Sequence, residues 1–460
     1  MAERIDRYDL TSGGILHKLL VVAGPIMGTQ LVQMSYNLTD MFWLGRLSSD
    51  AVAASGTAGM YMWLSMAFVV LGRMGAEIGV SQSLGRSDRE GAERFAHNAL
   101  SLALLLGALF GLALVVCGGP LIGFFQIPET HVAKDAESYL SIVGLAMPFF
   151  FLDAVMVGVF NASGNSSTPF LVNICGLAAN MILDPLMIFG LGLGIRGAAY
   201  ATAIAQIISF SLMLAALTRS KNRPFDRFAF FVKPSGAVLR QILRWSVPVG
   251  LESMLFTLMA MITSRFVAAF GSDAIAVSRV GSQIESLSWL IGGGFGSALI
   301  AFVGQNYGAG KWTRIHKGFG ISIRVMLVYG ALITAVMVLL AGFLFSIFLK
   351  ETTLIEMGVQ YLRFTAICQI PQCFEAVSNS SFKGTGRTLP PSVVSIACNV
   401  FRVFVTYFLA QTSLRLDGIW LCISLSATLR GGWSLAWYLL ARRKQSIRDC
   451  EEPLVSARSF

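Results

Sequence analysis

The sequence predicts an all-α membrane protein: twelve transmembrane helices arranged as two pseudo-symmetric six-helix lobes. Three observations predict it. The 460 residues are 55% hydrophobic and only 13% charged, where a soluble domain carries about 25% charged residues; mean hydropathy is +0.67. The apolar residues gather in runs of at least the ~20 residues that cross a bilayer as a helix. The second half of the chain also repeats the first at a nearly constant offset.

In order, the spans are expected at about 16–44, 51–83, 92–118, 135–161, 168–193, 197–217, 239–270, 274–306, 314–348, 355–382, 390–411 and 416–441. Several exceed the crossing length, so tilt or kinks are expected. Pro25 sits inside the first span and offers a hinge, because proline removes a helix hydrogen bond. Glycine is frequent, at 46 residues, as in packed transmembrane helices. Orientation follows from Lys and Arg. Arg4, Arg7 and Lys18 precede or open the first span. Arg86, Arg89 and Arg94 fill the second loop, a basic run fills the middle loop, and Arg442, Arg443 and Lys444 follow the last span. The intervening loops are poor in such residues. The positive-inside rule therefore places both termini in the cytoplasm, with the protein multi-pass in the cell inner (cytoplasmic) membrane. The N-terminal MAERIDRYDLTSGG lacks the apolar core of a signal peptide.

The formal net charge of +10 is carried by loops, so it speaks for topology and against a nucleic-acid partner. Nearly all of the seven cysteines lie singly in apolar runs, with no CxxC, and four histidines are scattered; neither forms a metal or disulfide framework. No Walker loop, HExxH or Ser-His-Asp arrangement is present. The run from Gly292 to Gly296 reads as close helix packing. An enzyme is therefore not expected, nor a cofactor. Energy must come from an ion gradient, with H⁺ or Na⁺ as coupling ion, or from the substrate's own gradient. The expected partners are the lipid bilayer and a small organic substrate, for a chain working as a monomer.

The repeat is specific. Pro25 matches Pro248, Asp50 matches Asp273, Gln82 matches Gln305 and Gly85 matches Gly308, all 223 residues apart. Tyr139 matches Tyr361, Gly164 matches Gly386 and Pro169 matches Pro391, all 222 apart. The lobes are expected at 1–217 and 237–442, with a cytoplasmic linker at 218–236 and a cytoplasmic tail at 443–460. Six spans per copy is an even number, so both copies enter from the same side and are related by an axis along the membrane normal. Two such lobes flanking a cleft make a transporter architecture.

The chemistry gathers in the first copy. Gln33, Tyr36 and Asp40 are three and four apart, on one helix face. A carboxylate in hydrocarbon costs at least ~2.5 kcal/mol, which marks Asp40 as functional by default. In the fifth span Asn180 and Asp184 are four apart, followed by Pro185. If the first and fifth spans face each other, Asp40, Asp184, Asn180, Gln33, Tyr36, Thr202 and Tyr139 surround one polar pocket. Two carboxylates in low dielectric cannot both ionise cheaply. Such a pair can hold a proton, or can bind Na⁺ together with the oxygens of Asn180 and Thr202; the alternative is a polar cluster that only fixes packing. In the second copy Asp40 becomes Thr263, and Asn180 and Asp184 become Arg402 and Thr406. Coupling through carboxylates is thus expected in the first lobe alone. Glu252, Glu285 and Arg402 either form salt bridges within their lobe or line a substrate cleft, and Asp153, with no obvious local partner, is a further candidate for the cleft.

These motifs, with the GAAYAT run ending at Thr202 and VGQNYGAGK at 303–311, resemble the multidrug and toxic compound extrusion family over essentially all twelve spans. The resemblance implies a cation-coupled antiporter that exports organic, often cationic, compounds by alternating access. It also implies coupling through the first-lobe acids with bending of the first helix at its proline. The acid pair is similar to that of the DNA-damage-inducible and archaeal-like branches. Other branches place an ion-binding Glu in the seventh span, whereas Glu252 lies only four residues after Pro248, a turn too early. The rival readings are a flippase of lipid-linked substrate in the same superfamily and a non-transporting structural or sensory membrane protein.

Overall fold

A computed structural model describes residues 8–127, 129–219, 225, 234–412 and 414–451. Among the described residues, fifteen α-helices and one π turn make up the extended regular structure, with no strand. In the first copy they are α1 (Ile15–Leu47), α2 (Ser49–Gly85), α3 (Arg89–Val116), the short α4 (Gly118–Gly123), α5 (Thr130–Ala162), α6 (Ser167–Pro185) with the π turn Leu186–Gly190, and α7 (Ile195–Arg219). In the second they are α8 (Gly236–Ala268), α9 (Ser272–Gly308), α10 (Trp312–Leu339), the short α11 (Ala341–Ser346), α12 (Thr352–Ala366), α13 (Gln369–Gly384), α14 (Leu389–Ala410) and α15 (Arg415–Glu451). Ten of the spans are single helices long and apolar enough to cross a membrane. The α12–α13 pair and α15 supply the other two. The protein is an all-α, twelve-span membrane protein.

Helix starts follow local chemistry. Ser48 caps α2 by accepting from the Ala51 N–H at 3.0 Å, and Asp88 caps α3 by accepting from Gly91 N–H at 2.8 Å. Each side chain satisfies one of the donors a helix N-terminus leaves free. On α3, Leu105, Leu109, Leu112 and Val116 are exposed at helical spacing, a stripe suited to lipid.

Two expected spans differ in detail. The tenth is not one helix over 355–382 but two, with the break at Ile367 and Cys368. Pro371 lacks the N–H that would bond the Ile367 carbonyl, so the ladder opens there and Pro371 settles in the first turn of α13. Its first-copy counterpart, α5, runs unbroken through Pro148. The carbonyl that Pro148 frees, that of Gly144, lies against Gly111 of α3, where a Cβ would collide with it, and neighbouring helices can satisfy such carbonyls. The ninth span, expected to reach 348, ends at Leu339 and resumes as α11, the repeat equivalent of α4.

The linker expected at 218–236 lies mostly outside the described residues; α7 ends at Arg219 and α8 begins at Gly236. The tail expected from 443 continues α15 to Glu451, and 452–460 lie outside the described residues.

Backbone contacts divide the chain into two units. The first gathers the chain through Met254 with Gly293–Gly318 and Lys383–Thr388; the second holds Leu255–Gly292, Phe319–Phe382 and the chain from Leu389. In the first unit α5 is central, packed by α2, α3 and α7. At one end of that unit α2 meets the end of α9 with matched contacts. Gln82 Nε2 donates to the Gly384 carbonyl at 3.0 Å, and Gln305 Nε2 donates to the Ala162 carbonyl at 2.9 Å. A Cβ on Gly85 would strike the Gln305 carbonyl, and one on Gly308 would strike that of Gln82. The same residue pairs that match in sequence make the same contact in space. Over this crossing lies residue stretch 8–13. Leu10 is buried; its N–H donates to Gln305 Oε1 at 3.0 Å, and its carbonyl accepts from Asn306 Nδ2 at 3.0 Å. Arg314 donates to the carbonyls of Leu10, Ser12 and Gly13.

The second unit has its own core around fully buried Trp420, Phe345 and Leu362 with Tyr361. Trp420 Nε1 donates to Ser278 Oγ at 3.1 Å, and Phe319 stacks on Tyr438 with centroids 4.3 Å apart.

Candidate ion-coupling site

Four helices of the first unit build one polar site. α6 turns Asn180 and Asp184 onto its buried face, and neither is exposed. Asn180 Nδ2 donates to Asp184 Oδ1 at 3.1 Å. α1, which packs against α6, brings Tyr36 and Asp40. α5 contributes buried Tyr139 and α7 contributes buried Thr202. Asp184 lies within electrostatic reach of Asp40, and Tyr36 and Tyr139 both feel the two acids and face the Thr202 hydroxyl. Directly after Asp184 the helix widens: Pro185 opens a π turn in which Leu191 N–H reaches back five residues to the Leu186 carbonyl, at 2.8 Å. Such turns are frequent at functional sites.

Several polar atoms of the site are unpartnered. Among the described residues, Asp40 Oδ1, Asp184 Oδ2 and Asn180 Oδ1 are buried with no hydrogen-bond partner, as are the hydroxyls of Tyr36 and Thr202. A carboxylate or amide oxygen can only accept. Each buried acceptor left unsatisfied costs about 1–3 kcal/mol, more when charged. A proton on one carboxyl, or a cation among the oxygens, relieves that cost directly.

Gln33 and Tyr36 also line a cavity of about 80 Å³ with Asp153 of α5, Asn173 of α6, and Gln206 and Ser209 of α7. Waters fit there; drug-sized ligands occupy ~300–1,000 Å³. Asp153 therefore faces a small polar chamber that shares Tyr36 with the acid pair. Arg73 lies within its electrostatic reach and bonds Glu77 at 3.2 Å on α2. Asn173, Gln206 and Ser209 were not singled out from the sequence. The signal was present: Gln206 is one turn after Thr202, and Asn173 is two turns before Asn180.

The remaining candidates lie elsewhere. Glu252 is in the first unit, with its Oε2 3.9 Å from Lys383 Nζ. Glu285 is buried in the second unit beside Tyr361 and Thr365. Arg402 is buried on α14 in the same unit, with its guanidinium over the Phe256 ring at 5.8 Å. Pro25 lies within α1, which is continuous through it. Among the described residues, no three of His, Cys, Asp and Glu cluster as metal ligands do.

A twelve-span duplicated bundle with a polar site holding two acids inside its first unit has the architecture of a membrane transporter. Its family follows from comparison with known proteins. The MatE family model matches the chain twice, over residues 25–186 and 248–408. Each match opens at one of the paired prolines, Pro25 and Pro248, so the model recovers the duplication. The chain belongs to the MatE family. It is 26% identical over 439 residues to the probable multidrug resistance protein NorM of Thermotoga maritima, covering 92% of each chain. It is 25% identical over 447 residues to the FAD transporter of Shewanella oneidensis, covering 95% of this chain and 97% of that one. Its fold matches a crystal structure of MATE in the bent conformation with a TM-score of 0.90 at 21% identity, covering 96% of this chain and 99% of that one.

Proposed function

We propose that this protein is a cation-coupled antiporter that exports organic compounds, often cationic, by alternating access, with H⁺ as the coupling ion. The observation that carries the reading is the acid pair itself: Asp40 and Asp184 within electrostatic reach of each other, each with a buried oxygen unpartnered among the described residues. Proton uptake removes one of the two charges and turns one carboxyl into a donor. Asn180 holds Asp184 in place, and Tyr36, Tyr139 and Thr202 offer hydroxyls that can follow either charge state. Gln33 and Asp153 border the adjoining chamber, through which water can reach the pair. Pro25 lies about four turns before Asp40 on the same helix, where bending can answer protonation. Export of foreign compounds is supported by the likeness to a probable multidrug resistance protein. The reading places the chain in the inner membrane as a monomer, with both termini cytoplasmic and two six-helix lobes at 1–217 and 237–442 carrying the motion.

Na⁺ held by Asp40, Asn180, Asp184 and Thr202 is the competing occupant, because every atom offered is oxygen. Proteoliposomes with imposed gradients decide between them. With ethidium as cargo, an imposed pH gradient is expected to drive efflux at fixed Na⁺, and Asp40→Asn is expected to abolish the uphill component. Efflux driven by Na⁺ alone at fixed pH replaces the proton with Na⁺. Undiminished uphill efflux by Asp40→Asn overturns both.

A further inference from the structure

Arg402 is a buried cation that makes no ion pair among the described residues. Its residue is 7% exposed. Among the described residues, its Nε and Nη2 find no hydrogen-bond acceptor. The charged side chain in electrostatic reach is another arginine, Arg430. Glu375 is already engaged by that one: Arg430 Nε donates to Glu375 Oε2 at 2.6 Å and its Nη1 to Asn399 Oδ1 at 3.4 Å. Thr406, one turn beyond Arg402 on α14, is fully buried; its hydroxyl makes no well-formed hydrogen bond among the described residues and faces the Cys422 thiol, which donates to the Arg402 carbonyl at 3.4 Å. Beside the guanidinium stands Phe256, 5.8 Å away, which packs edge-on to Trp289 with centroids 5.8 Å apart.

Breaking a buried ion pair is strongly destabilising because it strands a charge. A protein that keeps a stranded guanidinium has a use for its open donors. The planar fork of arginine matches carboxylate and phosphate oxygens two at a time. We propose that Arg402, with the Thr406 hydroxyl, binds the acidic group, carboxylate or phosphate, of an amphiphilic organic ligand whose apolar body lies against Phe256 and Trp289. The assignment does not rest on proton coupling at Asp40 and Asp184, and either can fail without the other. A free organic acid and an anionic lipid headgroup offer the same chemistry to this site, and the test separates them.

The full-length protein is placed in phosphatidylcholine nanodiscs and titrated with fluorescein, an aromatic carboxylate, by fluorescence polarisation; ethidium serves as the cationic control. Arg402→Gln is expected to weaken fluorescein binding roughly 10- to 100-fold, the range of a hydrogen bond to a charged group, without weakening ethidium binding. Arg402→Lys is expected to fall between, keeping the charge and losing the fork. With phosphatidylglycerol added to the nanodiscs, competition against fluorescein, together with phosphatidylglycerol retained by wild type and lost from Arg402→Gln, identifies a headgroup as the occupant. Absence of competition identifies a soluble organic acid. Equal fluorescein affinity in wild type and Arg402→Gln overturns the proposal. A second measurement covers folding: an unpaired guanidinium predicts that ligand-free Arg402→Met melts at or above the wild-type temperature. A lower melting temperature, or failure to fold, makes Arg402 structural and also overturns it.

Discussion

The fifth spans of the two copies invite direct comparison. On the buried face of α6 the one-turn pair is Asn180 and Asp184; on α14 it is Arg402 and Thr406. All four residues are buried. One copy carries an acid braced by an amide, and the other carries a guanidinium beside a hydroxyl. Elsewhere the copies stay alike. Gln82 and Gln305 make equivalent bonds, Gly85 and Gly308 make equivalent close approaches, and Gly164 and Gly386 share positive φ angles of 84° and 78°, a backbone state that favours glycine. Duplication has preserved what backbone geometry demands and released what faces the chemistry. The sign of the buried charge is the released part.

The comparison can be broken most severely at the acid. Asp184→Asn is expected to reduce uphill efflux in proteoliposomes to the level of protein-free vesicles while raising thermal stability by about 1–3 kcal/mol, since a stranded carboxyl is removed. Lost stability instead would make Asp184 a structural residue. The converse change is Thr406→Asp, which gives the second copy an acid one turn from its arginine. It is expected to raise the melting temperature, by the equivalent of about 1–3 kcal/mol, because open donors on Arg402 gain an acceptor. A fall would show Arg402 already satisfied.

A smaller contrast lies between the two glutamines. Gln305→Ala removes bonds to Leu10 and Ala162 and is expected to cost about 2–3 kcal/mol; Gln82→Ala removes one such backbone bond and is expected to cost about 1–2 kcal/mol. Denaturation in detergent measures both, and equal losses would mean that the stretch at 8–13 adds nothing. The smallest effect belongs to Asp9, before α1. Partial burial works to raise it, but hydrogen bonds from Ser12 and Thr11 outweigh that and hold its carboxyl below the ordinary carboxylate value. With the folded value depressed, the contribution is present above the unfolded pKa of ~3.9 and lost as pH falls through the folded value. It is expected to amount to less than about 1 kcal/mol because the group is part exposed. Comparing acid unfolding of wild type and Asp9→Asn measures it.

Much of the site was legible because polar residues stand out in apolar runs and a helix fixes which of them share a face. Asp40 with Tyr36, and Asp184 with Asn180, needed only one-turn spacing. The duplication was legible because prolines and glycines mark the same turns in both copies. Other features depend on which helix meets which. The chamber shared by Gln33, Asp153 and Gln206 joins residues from α1, α5 and α7. The break at Ile367 was signalled by Pro371, yet α5 passes Pro148 unbroken, so the proline alone does not decide. The docking of Leu10 had no sequence signal, since its partners lie about 300 residues away.

That last distance has a consequence for biosynthesis. The stretch at 8–13 is fastened by side chains translated almost at the end of the eighth span and beyond it. At about 5–20 residues per second, the wait is roughly a quarter of a minute to a minute. Throughout it, the leading copy stands in the bilayer with Leu10 unfastened, and only the later arrival of Gln305, Asn306 and Arg314 secures it.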